Sequence, residues 1–250
     1  SVMKFNSDTL AYIEGRKFSN GLDIDFSKEK YVLKSRIEKI LELTKNKKVI
    51  HIGFADHLPL IEEKIATNRW LHGLLLKNCT RCVGIDINQE AVEYLKENHA
   101  VPDIFYADIE KESNLQEILK EEKWDYILLG EVIEHVDNPV FFLRRIHLLF
   151  NQYAESIIVT APNAFNKLTS KDIKRNNENI NTDHRYWFSP FTLAKILSVS
   201  GFSEFELVFV DQVKLPLRTA LYKRMRVLQK KTARLSANNF STLLLTSKFH

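Results

Sequence analysis

Glu131, Glu134 and His135 form the most chemically specific cluster in this 250-residue chain. Glu131 closes an apolar run of strand type, while Glu134 and His135 open the helical turn that follows, so all three side chains can converge on one cleft. Two carboxylates and an imidazole can hold a divalent ion such as Mg or Mn, which would chelate and acidify a hydroxyl. Without a metal, His135 is a candidate general base. So is His184, in Thr182-Asp183-His184-Arg185-Tyr186-Trp187, because imidazole titrates near neutrality. The alternative is that Glu131 contacts a ligand, Glu134 faces solvent and His135 packs on a sheet. His51, His57 and His72 read as packing or ligand-positioning residues.

These side chains need a frame. Val49 to Gly53, Val83 to Ile87, Ile104 to Tyr106, Tyr126 to Gly130 and Ser156 to Thr160 are short apolar runs without polar alternation, the pattern of strands covered on both faces of a parallel sheet. Helical periodicity lies between them, at Tyr31 to Leu43, Leu60 to Lys77, Gln89 to Asn98, Leu115 to Glu121 and Pro139 to Phe150. A further helix is bounded by Ser189-Pro190 and Gly201. Two more strands follow, Glu204 to Val210 and Ser241 to Ser247. The pattern predicts an α/β fold: a doubly wound, mostly parallel, seven-stranded Rossmann-like sheet in one domain over 1–250. An N-terminal extension with a helix (1–46) precedes it, and a basic helical insertion (211–240) interrupts it before the last strand.

Ligands of such sheets bind past the carboxyl ends of the strands. Those positions read Gly53-Phe54-Ala55-Asp56-His57, Asp86-Ile87-Asn88, Ala107-Asp108-Ile109 and Gly130-Glu131. Asp86 can accept from both ribose hydroxyls of an adenosine and Asp108 from the adenine amino group. A dinucleotide enzyme would show G-x-G-x-x-G with its acid about 20 residues on. Here one glycine stands alone and Asp86 lies 33 residues beyond it, so the pyrophosphate cradle is missing. A nucleoside without a diphosphate fits better.

From Lys47 to Phe202 the chain resembles the class I S-adenosylmethionine (SAM)-dependent methyltransferases. Val49-Ile50-His51-Ile52-Gly53-Phe54-Ala55 is similar to their first motif, Val83-Gly84-Ile85-Asp86-Ile87 to the second, Tyr106-Ala107-Asp108 to the third, and Trp124-Asp125-Tyr126-Ile127 through Glu131 to the fourth. The resemblance implies SAM as cofactor, bound by His51, Gly53, Phe54, Ala55, Asp86, Ile87, Asp108, Ile109 and Glu131. His51 replaces the usual acid, and Ala55 and His57 replace later glycines, so the methionine end must be held differently than in most members. Glu131-x-x-Glu134-His135 resembles the pattern of ubiquinone-pathway O-methyltransferases and of small-RNA 3′-terminal ribose methyltransferases. In those a later His completes a metal site, a part His184 could take here. His51-Ile52-Gly53 with Asp56-His57 and Trp70-Leu71-His72 is similar to a bacterial subset associated with surface-polysaccharide biosynthesis.

The remaining features narrow partners. The chain is 44% apolar, with 36 basic and 32 acidic residues, a balance that argues for a globular core and against a nucleic-acid partner. Its longest apolar runs, such as Leu243 to Leu245, fall far short of the roughly 20 residues of a membrane span. Ser1-Val2-Met3 lacks the charged head of a leader peptide, so the cytoplasm is the expected location. Cys79 and Cys82 form one CxxC without a second pair, which reads as inert packing rather than zinc or redox chemistry. The polar stretch 163–188, rich in asparagine at Asn166, Asn176, Asn177, Asn179 and Asn181, reads as a loop serving as a substrate lid. Its Tyr186-Trp187-Phe188 run could stack on a sugar or base, or anchor the next helix.

From Lys214 to Arg234 come eight basic residues and no acid, around an apolar stripe at Leu217, Leu221, Met225 and Leu228. A solvated helix, a wall for an anionic or lipid-linked acceptor, a peripheral membrane contact and an RNA contact all fit that stretch. The leading expectation is an O-methyltransferase acting on a hydroxyl of a saccharide or saccharide-linked precursor. The alternatives are a metal-dependent 2′-O-methyltransferase of a nucleic-acid terminal ribose, and a degenerate, non-catalytic SAM-binding protein.

Overall fold

The computed structural model describes residues 2–111, 115, 122–213 and 235–249. Strands β1 (Met3–Lys4), β2 (Lys48–Ile52), β3 (Arg81–Asp86), β4 (Ile104–Tyr106), β5 (Trp124–Gly130), β6 (Ala154–Pro162), β7 (Ser203–Gln212) and β8 (Phe240–Lys248) make one eight-stranded sheet in the order β1-β7-β8-β6-β5-β2-β3-β4. Strands β2 to β6 run parallel, whereas β8 is antiparallel to both β6 and β7. The seven-strand expectation falls one short, because β1 is a two-residue edge strand paired antiparallel to β7 through Met3 and Lys4. Two residues are too few to show a period of alternation.

β2 lies between β3 and β5, so chain order reverses there and a crevice opens beyond the ends of β2 and β5. The middles of the parallel strands are largely apolar because both faces are covered. Ile50, Ile52, Val83, Ile85, Ile127, Leu129, Ile157 and Val159 pack in one cluster, while Val49, Cys82, Leu128 and Ile158 pack in another.

The helices are α1 (Ser7–Ile13), α2 (Arg36–Thr44), α3 (Leu58–Ala66), α4 (Leu71–Asn78), α5 (Gln89–His99), α6 (Pro139–Phe150), α7 (Lys167–Ile173) and α8 (Pro190–Val199). Helix α2 begins later than its periodicity suggests, at a capping box formed by Ser35 and Glu38. The expected helix over Leu60 to Lys77 is two helices. Asn68 takes a left-handed backbone with φ 53°, and the amides of Arg69 and Trp70 turn back to the Lys64 carbonyl, which ends α3 as an αL residue commonly does. The 163–183 stretch is likewise not all loop: the Asn166 side chain accepts from the amides of Leu168 and Thr169 and starts α7. Ser189 caps α8 with Pro190 in its first turn. Of the Leu115 to Glu121 helix only Leu115 is described, buried in the core. The basic stretch Lys214 to Arg234 lies outside the described residues. No described helix is long and apolar enough to cross a membrane.

Candidate active site

At the end of β2 the chain turns through Gly53, whose φ is 73° and whose Cβ, if it had one, would lie 2.5 Å from Val132. Only glycine meets both demands. The following loop is tied to the end of β3 by Asp86. One carboxylate oxygen accepts from the Ala55 amide and the other from the Asn88 amide, each at 2.9 Å. Burial pushes the Asp86 carboxyl above its usual range, while those amides and that of Ile87 pull it back. Three amides on a carboxylate with about four lone-pair sites leave room for one more donor. Beside Asp86 stand the exposed side chains of Ile87 and Tyr106, apolar surface of the kind that covers a nucleobase. Asp108 faces Lys111 at 3.0 Å. The side chain of Ile109 is buried in the core, and its carbonyl accepts from Arg145 Nε at 3.3 Å.

Phe54 also points inward. Its ring fills the space Gly84 leaves, where a Cβ would come within 2.7 Å, and its carbonyl accepts from the Trp70 indole at 3.0 Å. His51, in place of the motif's acid, is buried with its Nδ1 3.3 Å from Nδ1 of His72. Burial, then His72 and Arg36, hold its pKa well below that of free imidazole, and burial alone holds His72 down to about 3. Both are therefore neutral. Cys79 and Cys82 are free thiols.

The other half of the site is built by the turn after β5. Glu131 takes a left-handed backbone, φ 58°, with its amide on the carbonyl and hydroxyl of Thr160. This throws the next residues into a tight turn and buries Glu134 completely; the solvent-facing alternative for Glu134 does not hold. Among the described residues neither of its carboxylate oxygens has a partner beyond its own backbone amide. Burial pushes its pKa up to about 8.

The His135 and His184 rings meet edge-on, 4.7 Å apart. Burial, then His184, lower the His135 pKa. Donor atoms of Glu134, His135 and His184 all lie within 4.8 Å of one another. Glu131, also named as a ligand from the sequence, stands outside this group, with its carboxylate 3.6 Å from Arg36. Arg185 bolts the two segments together: its amide donates to the Glu134 carbonyl at 2.8 Å, its guanidinium to the His135 carbonyl, and it pairs with Asp137 at 2.6 Å.

Further along, Asn163 and Phe188 pair as a parallel bridge, and their neighbours alternate between two cavities. Ala164 and Trp187 line one of about 460 Å³, with Thr169, Asp172, Asn177, Glu178 and Asn179 around it. Phe165 and Ser189 line another of about 520 Å³, walled by Phe18, Phe26 and Phe191 with Lys17 and Lys195. The Trp187 ring is 6.5 Å from that of His184, while Phe188 is buried in the core. Arg36, buried Asn163 and the Arg185 clamp were not singled out from the sequence. A capping pair Ser35-x-x-Glu38 marks the turn that carries Arg36, and nothing local marks Asn163.

This sheet, with acids at the ends of β3, β4 and β5, defines the class I SAM-dependent methyltransferases. The family model described as a methyltransferase domain matches residues 27–206, and the chain belongs to that family. A SAM-dependent methyltransferase of Thermotoga maritima, described as a possible histamine N-methyltransferase, is similar with a TM-score of 0.55 at 16% identity, over 86% of this chain and 88% of that one. The methyltransferase domain of the bacterial protein CtHen1-C is similar at 0.52 and 15% identity, over 86% and 97%. The small RNA methyltransferase HEN1 follows at 0.51 and 15%, over 94% of this chain and 27% of that longer one. At these identities the likeness is one of fold. No curated protein sequence matches. SAM is the cofactor expected of the family, and the acceptor capacity left on Asp86 beside exposed Ile87 and Tyr106 suits its adenosine.

Proposed function

We propose that this protein is an O-methyltransferase that acts on a hydroxyl of a saccharide or saccharide-linked precursor, with a divalent ion bound by Glu134, His135 and His184. The observation that carries the metal is Glu134, a buried carboxylate with no side-chain partner among the described residues, set beside two imidazoles. Such a carboxyl must keep its proton or meet a cation. An ion there would acidify a sugar hydroxyl and orient a vicinal diol. SAM, when bound, supplies an electrophilic methyl group.

The chain's own residues divide the remaining work. Asp86 accepts from a ribose hydroxyl and Asp108 from the adenine amino group, with the backbone at Gly53 and Ala55 against the nucleoside. Without the ion, His135 or His184 takes the acceptor's proton; as its ligands they would hold it, and it would supply the acidity of the hydroxyl instead. Catalysis is otherwise alignment of hydroxyl and methyl. Segment 163–188 covers the acceptor, for which the cavity at Trp187 offers an aromatic face ringed by amides and two carboxylates. That lining suits a polyhydroxylated ring better than a polyphosphate. The aromatic cavity with Lys17 and Lys195 suits the apolar, anionic part of a lipid-linked acceptor, as does the charge of 214–234. The cytoplasm remains our proposed location.

One observation favours a second reading: the Glu134, His135 and His184 donor set would serve the terminal ribose of an RNA equally well. The test is transfer of labelled methyl from SAM to a panel of lipid-linked and free glycans and to RNAs with 3′-terminal diols, with and without Mg or Mn. Ion-dependent labelling of glycans is expected. Labelling of RNA alone would overturn the acceptor, full activity in chelator the metal, and nucleoside binding without any transfer would leave the non-catalytic alternative. Asp86→Asn should weaken S-adenosylhomocysteine by about 1.5 to 3 kcal/mol, read by calorimetry.

A further inference from the structure

We propose that the cavity beside Trp187 is a subsite for a positively charged group on the acceptor, the protonated amine of an amino sugar, with Asp172 and Glu178 as its counter-charges. The inference rests on the reading of the acceptor as a saccharide and adds which saccharide: one that carries a free amine.

The cavity, about 460 Å³, is assembled from two segments. On one side α7 stops near Asn176, which takes a left-handed backbone with φ 53°. The amides of Arg175 and Asn177 both turn back to the Asp172 carbonyl, at 2.9 and 3.0 Å, and this lays Glu178 and Asn179 beside the last turn of the helix. On the other side the Ala164 amide donates to the Phe188 carbonyl at 2.9 Å. With Phe188 held in the core, alternation along the chain turns Trp187 outward into the opening, 37% exposed.

Charge is sorted across this segment. Residues 167–179 carry four cations, Lys167, Lys171, Lys174 and Arg175, against two acids, Asp172 and Glu178. Both acids line the cavity and, among the described residues, none of the cations does. Nor does any of those cations pair with either acid, although Arg175 is three residues from Asp172 and Lys174 four from Glu178, the spacings at which ion pairs form along a helix. A net-positive stretch thus presents a purely negative wall to the cavity. The indole of Trp187 completes the lining, and its π-face also favours a cation.

Two carboxylates and an aromatic ring, with the side-chain amides of Asn177 and Asn179 to meet hydroxyls, are the complement of an ammonium on a polyhydroxylated ring. A phosphate or an acidic sugar would meet repulsion there. The cavity also adjoins the chemistry. The Trp187 ring is 6.5 Å from that of His184, so a saccharide seated here leads its hydroxyls toward the Glu134, His135 and His184 group.

Intrinsic fluorescence tests the site, because Trp70 and Trp124 are buried and Trp187 alone of the three tryptophans meets solvent. The probes are an oligomer of glucosamine and its fully N-acetylated counterpart, which differ in the charged amine. At mildly acid pH the wild-type protein should bind the first roughly 5- to 10-fold more tightly, the combined scale of exposed ion pairs and a cation–π contact. That preference should shrink as salt is raised. Asp172→Asn and Glu178→Gln should each reduce it by roughly 2- to 3-fold and together abolish it, with affinity for the N-acetylated oligomer changed by less than about 2-fold. Trp187→Phe should silence the signal. Equal binding of the two oligomers, no binding of either, a preference indifferent to the double substitution, or a signal that survives Trp187→Phe overturns the subsite. Transfer of labelled methyl separates this inference from the reading beneath it. Transfer to amino and N-acetylated glycans alike sinks the subsite and keeps the saccharide acceptor. Transfer to no glycan, with amine-selective fluorescence intact, sinks the saccharide acceptor and keeps the cation site.

Discussion

Two pairs of histidines lie in this molecule at comparable ring separations, His51 with His72 at 5.4 Å and His135 with His184 at 4.7 Å, and they are chemical opposites. The first is enclosed by Phe54, Trp70 and Cys82, and desolvation keeps it neutral. The second is half-buried and shares its space with the unpartnered carboxylate of Glu134. Proximity of imidazoles therefore says little; access to solvent and a neighbouring carboxylate decide whether the pair can bind a cation or move a proton.

The contrast breaks most visibly in turnover. His184→Ala and His135→Ala should each lower kcat by about 10²- to 10⁴-fold, the range for a lost acid–base group, with S-adenosylhomocysteine affinity held within about 2-fold. His72→Phe should leave kcat within about 3-fold. If His72→Phe proves as damaging as His184→Ala, the two pairs are not distinct.

A second, smaller effect is in stability against pH. The Glu134 carboxyl is raised to about 8 from 4.5, so between those values the unfolded chain ionises while the folded one holds its proton. Stability of the metal-free protein then falls as pH rises from about 4.5 to 8, by up to a few kcal/mol. Glu134→Gln should flatten that slope, and Mn should counteract it at the alkaline end; thermal melts across the range would show both. His72 runs the other way. Its pKa is lowered from 6.5 to about 3, so its contribution is intact above 6.5 and is lost as pH falls toward 3. Acid melts of His72→Phe should lose less between those values than wild type.

The smallest effect belongs to the acceptor side. Trp187→Ala should raise KM for a glycan acceptor by roughly 2- to 10-fold, as expected for a lost ring contact of about 0.5 to 1.5 kcal/mol, without changing S-adenosylhomocysteine affinity. An unchanged KM would remove Trp187 from the acceptor site.

The parallel strands and the acids at their ends were legible because each sits within one local run: Val83 to Asp86 declares both a buried strand and its terminal acceptor. What joins distant runs was harder. His184 reached the cluster only through a family pattern, and the Arg185 contacts that hold it there have no local signature. Arg36 escaped notice because its helix precedes the first motif and its surface position is undone only by β5. Asn68 fell unremarked within the expected Leu60 to Lys77 helix, and Asn166 was one of the asparagines of the expected lid. One proved a left-handed stop inside an expected helix and the other a cap inside an expected loop, both choices asparagine makes readily.

The amide of Val213 donates to the Asn239 carbonyl at 2.7 Å, and the Asn163 side chain holds the carbonyls of Ala237 and Phe240. The stretch between β7 and β8 thus leaves and rejoins the sheet at neighbouring points. Its closure entropy is already spent at that knot, and doubling the length of such a connection costs only about 0.6 kcal/mol. Sequence can be inserted, shortened or exchanged there with little tax on the fold, which makes this junction a place where a lineage can change what the enzyme meets while its sheet stays as it is.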